Sequence, residues 1–218
     1  MAITTKKPSY KQTVGAQYVC FDKMDENYDW AGDWESESDA KESANVIRTD
    51  TVKNIDVNDN SSSTTIYASG NPYGQEDDIA SKDITVEVIA FSDQTLAKMK
   101  GDTVTESGAI ISNRNGIKPY FAYGKVVKLS HGKRRYEWFG KCQLVSNTDK
   151  TSTSTESFSE QTDTITIRAY PLNDGTYGVS TSADVELPAT VTEDTFFAAP
   201  LITEDDYEAL ATKTKPNP

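Results

Sequence analysis

An antiparallel β-sandwich or partly open barrel carrying one short inserted helix is the architecture expected of this 218-residue chain. Two β-type alternations and one well-delimited helix carry that expectation. In 83–91 (DITVEVIAF), Ile84, Val86, Val88 and Ala90 share one face and Thr85 and Glu87 the other, the period of a half-buried strand. In 134–145, Tyr136, Trp138, Cys142 and Leu144 alternate with Arg135, Glu137, Lys141 and Gln143, which predicts an aromatic stripe opposite a charged one. Between them, Ser92 or Asp93 can cap a first turn, Leu96 and Met99 share a helical face, and Gly101 can take the left-handed position, so a helix is expected over 93–100. An apolar share of 36%, with roughly a fifth of the residues Ser or Thr, agrees with a β-protein bearing long solvated loops.

Taken in order, residues 1–12 are polar, contain Pro8 and read as an extended arm; 14–21 (VGAQYVCF) read as a strand. Residues 22–42 carry nine acids against two lysines, with Trp30 and Trp34 embedded, and read as a solvated loop. Strand signals return at 46–47, 51–57 and 64–69, separated by the polar DNSSS of 59–63 and closed by a break at 70–78 (GNPYGQEDD). After the helix, 119–129 and 134–145 flank the Gly-containing turn SHGK and make a long hairpin. A last strand is expected around 158–170, where Ile165, Ile167 and Ala169 alternate with Thr164, Thr166 and Arg168, and Pro171 and NDG end it. The division is therefore an arm (1–12), a β-domain (13–175) and an acidic, proline-bearing tail (176–218) without a sustained period, which docks or stays mobile.

The chemistry-bearing residues argue against an enzyme. His131 is the only histidine and falls in the hairpin turn, which leaves little for a zinc site or a Ser-His-Asp triad. Cys20 and Cys142 lack CxxC spacing and lie in strand-like runs, where buried free thiols are expected. The segment 56–60 (DVNDN) imitates the start of a calcium loop, yet Ser61 stands in for the turn glycine and Tyr67 for the bidentate glutamate. A glycosidase would need two carboxylates across a cleft, whereas the acids here gather in one polar loop. No metal, cofactor or phosphate-binding motif is expected. With no apolar stretch after Lys6 and Lys7 and no run near twenty apolar residues, neither a signal peptide nor a membrane span is expected, and the chain reads as a soluble protein made in a cytosol.

Charge is divided unevenly. A net −12 opposes general nucleic-acid binding. Residues 22–42 hold a local −7 and the 125–141 hairpin a local +5, from Lys125, Lys128, Lys133, Arg134, Arg135 and Lys141 against Glu137. Aromatics between those bases would suit single-strand stacking, but strict alternation places the aromatics toward the core and the bases toward water. A further reading pairs the acidic loop of one copy (Asp29, Asp33, Glu35, Glu37) with the basic hairpin tip (Lys133, Arg134, Arg135) of another.

The order of VGAQYVCF, DITVEVIAFSDQTLAKMKG, the PYFAYGKVVKL–SHGK–RRYEWFGKCQLV hairpin and SEQTDTITIRAYPL resembles the phi13-type major tail protein of long-tailed bacteriophages over about residues 11–175. The acidic 22–42 loop and the tail after 175 depart from that pattern. The resemblance implies a tail tube protein of two packed sheets and a helix, six copies forming a ring and rings stacking into a tube. The genome passes through that tube without specific binding. It also implies other tail components as partners (tape measure, tail terminator, distal tail protein), assembly in the bacterial host cytoplasm and residence in the virion tail. The rival from another class is a carbohydrate- or host-surface-binding β-sandwich, with Tyr28, Trp30 and Trp34 as stacking residues.

Overall fold

The computed structural model describes residues 7–36, 44–153, 161–182 and 184–212. Seven strands form one antiparallel sheet: β1 (Lys11–Phe21), β2 (Val46–Thr49), β3 (Val52–Ala68), β4 (Asn71–Val88), then, after helix α1 (Asp93–Lys100) and the two-residue strands β5 (Thr103–Val104) and β6 (Ile110–Ile111), β7 (Phe121–Leu129), β8 (Arg134–Thr148) and β9 (Asp163–Tyr170). Their spatial order is β2-β1-β7-β8-β9-β4-β3, with β5 and β6 as a separate small hairpin. The two edge strands, β2 and β3, follow one another directly in sequence, so the sheet must roll until its edges approach. Ile47, Val52, Ile55 and Val57 accordingly pack on the same inner cluster as β1 and β7. The result is a partly open antiparallel barrel, as the sequence predicts.

The inner cluster contains Ile84, Val86 and Val88 of β4, all fully buried, with Val19, Phe21, Phe121, Tyr123, Phe139, Cys142, Leu144, Ile165 and Ile167. Helix α1 lies within its expected bounds: the Ser92 hydroxyl accepts from Thr95 N at 3.4 Å, Gly101 has φ 77°, Met99 is fully buried in the cluster and Leu96 packs against it. Ala90, by contrast, is exposed beyond the end of β4.

Four expectations are corrected. First, 59–63 and 70–78 are not breaks. Strands β3 and β4 run through them and pair from Val52↔Val88 to Ala68↔Asn71. The reversal takes only Ser69 (φ 53°) and Gly70 (φ 81°), two left-handed residues in the manner of a type I′ turn. The calcium-like Asp56–Asn60 segment is thus extended strand.

Second, the stripe of β8 is split. Register passes from Tyr123↔Phe139 to Phe121↔Cys142, two residues of β7 against three of β8, so a bulge at Gly140–Lys141 inverts the alternation. Tyr136 and Trp138 face an outer cluster, while Cys142 and Leu144 face the inner one.

Third, the tail, which takes the docked of its two expected alternatives, adds two helices, α2 (Glu193–Phe196) and α3 (Glu204–Thr212), to the single one expected. Residues 177–181 first complete the edge of β8 that the shorter β9 leaves open: Trp138 N donates to the Val179 carbonyl (2.8 Å), Val179 N to the Trp138 carbonyl (3.1 Å) and Thr181 N to the Tyr136 carbonyl (2.8 Å). Val191, Phe196, Phe197 and Leu210 then cover Ala16, Tyr18, Cys20, Ala122, Val126, Tyr136 and Trp138 on the outer face.

Fourth, the arm ends sooner than expected. β1 begins at Lys11, and Tyr10 exchanges hydrogen bonds with Ser130 at the hairpin turn.

Candidate functional site

The acidic loop is organised rather than free. Asp22, buried at the end of β1, accepts from Met24 N (3.2 Å), Ala31 N (2.8 Å) and Asp33 N (2.9 Å), which winds 22–33 around one carboxylate. Burial pushes the Asp22 carboxyl up, and the amide hydrogen bonds oppose that shift. Of the acids expected at a contact between copies, Asp33 pairs with Lys23 (3.0 Å), Asp29 lies 3.6 Å from Lys141 of β8, and Glu35 pairs with Lys98 of α1. Glu37 lies outside the described residues. Trp30 and Trp34 meet edge to face (5.2 Å between centroids, 68°), and Trp30 meets Tyr120 the same way. The three rings thus pack against one another, with Trp30 and Trp34 half-buried, while Tyr28 is exposed beside them.

At the basic tip, the turn Ser130–Gly132 holds His131 at φ 60°, and Lys133 is exposed. Arg134 pairs with Glu193 of α2, and the same carboxylate accepts from Tyr18 OH at 2.8 Å and lies 3.5 Å from Arg48. Burial, then the hydrogen bond to Glu193, pushes the Tyr18 phenol well up. Arg135 shares Glu137 with Lys125, at 3.4 and 3.2 Å. The structure thus gives Arg134 and Arg135 partners within the chain, and among the described residues joins the acidic loop to the hairpin by the Asp29–Lys141 pair and by Trp30 against Tyr120. Sequence reasoning missed Glu193, whose role depends on a tail docking across more than fifty residues of chain.

The most exposed feature among the described residues is the distal half of the β3–β4 hairpin, held to the rest of the chain at its base, where Tyr177 OH donates to the Ile79 carbonyl. Its proximal half is anchored by Arg168 of β9, which donates two hydrogen bonds to Asp83 (2.7 and 3.0 Å), and by Lys82 on Asp59 (2.6 Å). Beyond the Asn60↔Ser81 pair, every side chain described from Ser61 to Ala80 is exposed, including Ile66, Tyr67, Tyr73 and Ile79. Tyr67 is 67% and Tyr73 80% exposed. A two-stranded ribbon alone is marginally stable in water, and aromatics on both of its strands add apolar surface that the chain itself does not cover. The sequence signal was present in the Ser69–Gly70 dipeptide flanked by segments of similar length.

Among solved structures, a chain of the anti-feeding prophage (AFP) baseplate, determined by cryo-EM with 6-fold symmetrisation, is similar over 83% of this chain and 100% of its own, at 7% sequence identity and a TM-score of 0.46. At that level the likeness transfers no role. No protein-family model matches the sequence, and no curated protein matches it.

Among the described residues no three His, Cys, Asp or Glu side chains are grouped to hold a metal ion, and no helix is long and apolar enough to cross a membrane. Burial pushes the Cys20 thiol up to about 12 and the Cys142 thiol higher still, so both stay protonated at neutral pH.

Proposed function

We propose that the chain is a structural subunit of a bacteriophage tail tube, whose copies form rings of six that stack into the conduit for the genome. The observation that carries this reading is the projecting, solvent-exposed distal half of the β3–β4 hairpin. That distal half bears Ile66, Tyr67, Tyr73 and Ile79, exposed in the single chain and available to a surface of a neighbouring copy. Repetition of one projecting ribbon onto a different patch of the next identical copy is a heterologous contact, the kind that closes rings or propagates filaments. The resemblance of 11–175 to phi13-type tail proteins supports the same assignment, and the net −12 charge suits a lumen past which a polyanion slides.

The charged contact between Asp29, Asp33, Glu35 and Glu37 of one copy and Lys133, Arg134 and Arg135 of another belongs to this reading. Because Arg134 and Arg135 are engaged within the chain, Asp33→Lys is the cleaner probe: the Asp33 carboxylate pairs with the exposed Lys23, and exposed pairs contribute only about 0–1 kcal/mol to folding. Negative-stain microscopy of the purified chain over a concentration series tests the function. Six-fold rings or tubes are expected; a monodisperse monomer at high concentration, also when mixed with the other tail components of its virus, contradicts it.

A further inference from the structure

Strand register gives the barrel two unlike ends. The pairs Lys11↔Leu129 and Lys128↔Arg134 lie at one end, Phe21↔Phe121 and Val88↔Asp163 at the other. The Ser130–Gly132 turn and the distal half of the β3–β4 hairpin therefore leave the first end, because β4 runs from the hairpin toward Val88. The acidic loop follows Phe21 and so leaves the second. The C-terminus of α1 is there too, since Lys98 pairs with Glu35 and lies 4.4 Å from the Phe21 ring centre. The stretch of β4 from Asp78 to Val88 spans about 33 Å, so the hairpin tip does not reach the second end of its own chain.

At that second end stands the β5–β6 ribbon, closed by its own hydrogen bonds. Thr105 N donates to the Ala109 carbonyl and Ala109 N to the Thr105 hydroxyl, both at 2.9 Å. At the base, the Asp102 carboxylate accepts from Asn113 N at 3.1 Å and from the Ser112 hydroxyl at 3.3 Å. Gly101 and Gly116 approach so closely that a Cβ on Gly116 would lie 2.3 Å from the Gly101 carbonyl oxygen, which seats the ribbon on the end of α1. The ribbon is thus held in place within the chain. Its cross-strand pair Val104 and Ile110 is nevertheless exposed, as are Ile111 and Ile117. Exposed apolar side chains gathered on so short an element mark a contact surface.

We propose that this ribbon, with Ile117 at its base, receives the distal β3–β4 hairpin of a second copy of the chain. The inference rests on the assembly reading above and names the surface that the exposed Ile66, Tyr67, Tyr73 and Ile79 meet. Charge selects that occupant. Residues 61–80 hold Glu76, Asp77 and Asp78 and no base, while 100–118 hold Lys100, Arg114 and Lys118 against Asp102 and Glu106. The same end-to-end contact turns the basic 133–135 segment, at the hairpin end, toward the acidic 22–33 loop, at the ribbon end. Opposite signs meet at both places, which fixes orientation and opposes a contact between like ends. A patch at one end that takes a different patch of the next copy is heterologous, so the contact propagates.

Ile110→Asp, at an exposed position, puts a negative charge where the acidic hairpin docks. In sedimentation velocity it should raise the concentration needed for assembly roughly tenfold or more over the unmodified chain, with an unchanged thermal transition. Arg114→Glu, on an exposed turn outside the strands of the ribbon, should act in the same direction, and it carries the test where Ile110→Asp does not fold. A chain with 61–80 replaced by Asn-Gly lacks the hairpin and keeps the ribbon. At a concentration where the unmodified chain assembles, this chain and Ile110→Asp should each stay monomeric alone, and their mixture should give dimers holding one copy of each. Assembly of Ile110→Asp or Arg114→Glu equal to that of the unmodified chain, or a mixture that stays monomeric while the unmodified chain assembles, overturns the ribbon as receiver and leaves assembly standing. An unmodified chain that does not self-associate overturns both.

Discussion

Replacing Trp138 by Ala should be among the most damaging single changes in the chain. The indole is 1% exposed between the sheet and the docked tail, with Tyr18 at 6.4 Å and Phe197 at 5.2 Å between ring centroids. Its Nε1 donates to the Phe196 carbonyl at 3.0 Å. Truncating a buried Trp costs about 3–5 kcal/mol, and stranding the Phe196 carbonyl acts in the same direction. With total stability of about 5–15 kcal/mol for a domain and a urea dependence of about 2 kcal/mol/M, the unfolding midpoint should fall by about 2 M. Urea titration followed by far-UV circular dichroism reads this directly. A fall under about 0.5 M would refute the claim that the tail is welded to the outer face through this side chain. Trp138→Phe, which keeps most of the apolar volume and loses the hydrogen bond, should fall in between.

Gly124→Ala should loosen the tail without emptying the core, because the added Cβ would lie 2.7 Å from Phe197 Cε1 and 3.0 Å from the Trp138 ring; cleavage within 171–212 by a non-specific protease should speed up while β1–β9 resist. Arg168 holds the Asp83 carboxyl below the usual carboxylate value, so the pair adds stability above about pH 4, the unfolded value, and loses it as pH falls further. Asp83→Asn should flatten that part of the stability-versus-pH curve, and an unchanged acid limb would contradict the pairing. Cys20 and Cys142 should not react with a thiol reagent at pH 8 until the chain is unfolded; rapid labelling of either in the native protein would show that the barrel or the tail opens.

What could be read from the sequence was what local chemistry decides. Ser92 and Gly101 delimit α1 by their own hydrogen-bonding and φ preferences, so its bounds were legible. The alternation around Ile84, Val86 and Val88 was legible because one face of β4 is buried there and the other is half-exposed. The distal hairpin was hidden because Asp, Asn, Ser and Gly are poor strand formers by propensity, and only their pairing with one another makes 59–63 and 70–78 extended. The division of the Tyr136–Leu144 stripe depends on a single extra residue at Gly140–Lys141, which no period-two pattern reveals. The tail escaped for a third reason. Its hold on the domain rests on a few isolated groups, Phe196, Phe197, Leu210 and Glu193, that meet Tyr18, Trp138 and Arg134 only after the sheet has formed. Among the contact candidates, the sequence located the charged residues but not their partners, since Asp29 with Lys141 and Glu35 with Lys98 are long-range pairs.

The hairpin itself offers the most direct test. Residues 61–80 can be replaced by a two-residue Asn-Gly turn joining Asn60 to Ser81, which preserves the paired, anchored half of β3 and β4. Sedimentation velocity of the full and shortened chains at matched concentration, each checked for folding by its thermal transition, then reads assembly alone. The account predicts that the full chain sediments as rings or longer assemblies and that the shortened chain is a folded monomer. A shortened chain that assembles like the full one would place the contact between copies elsewhere and contradict the central claim.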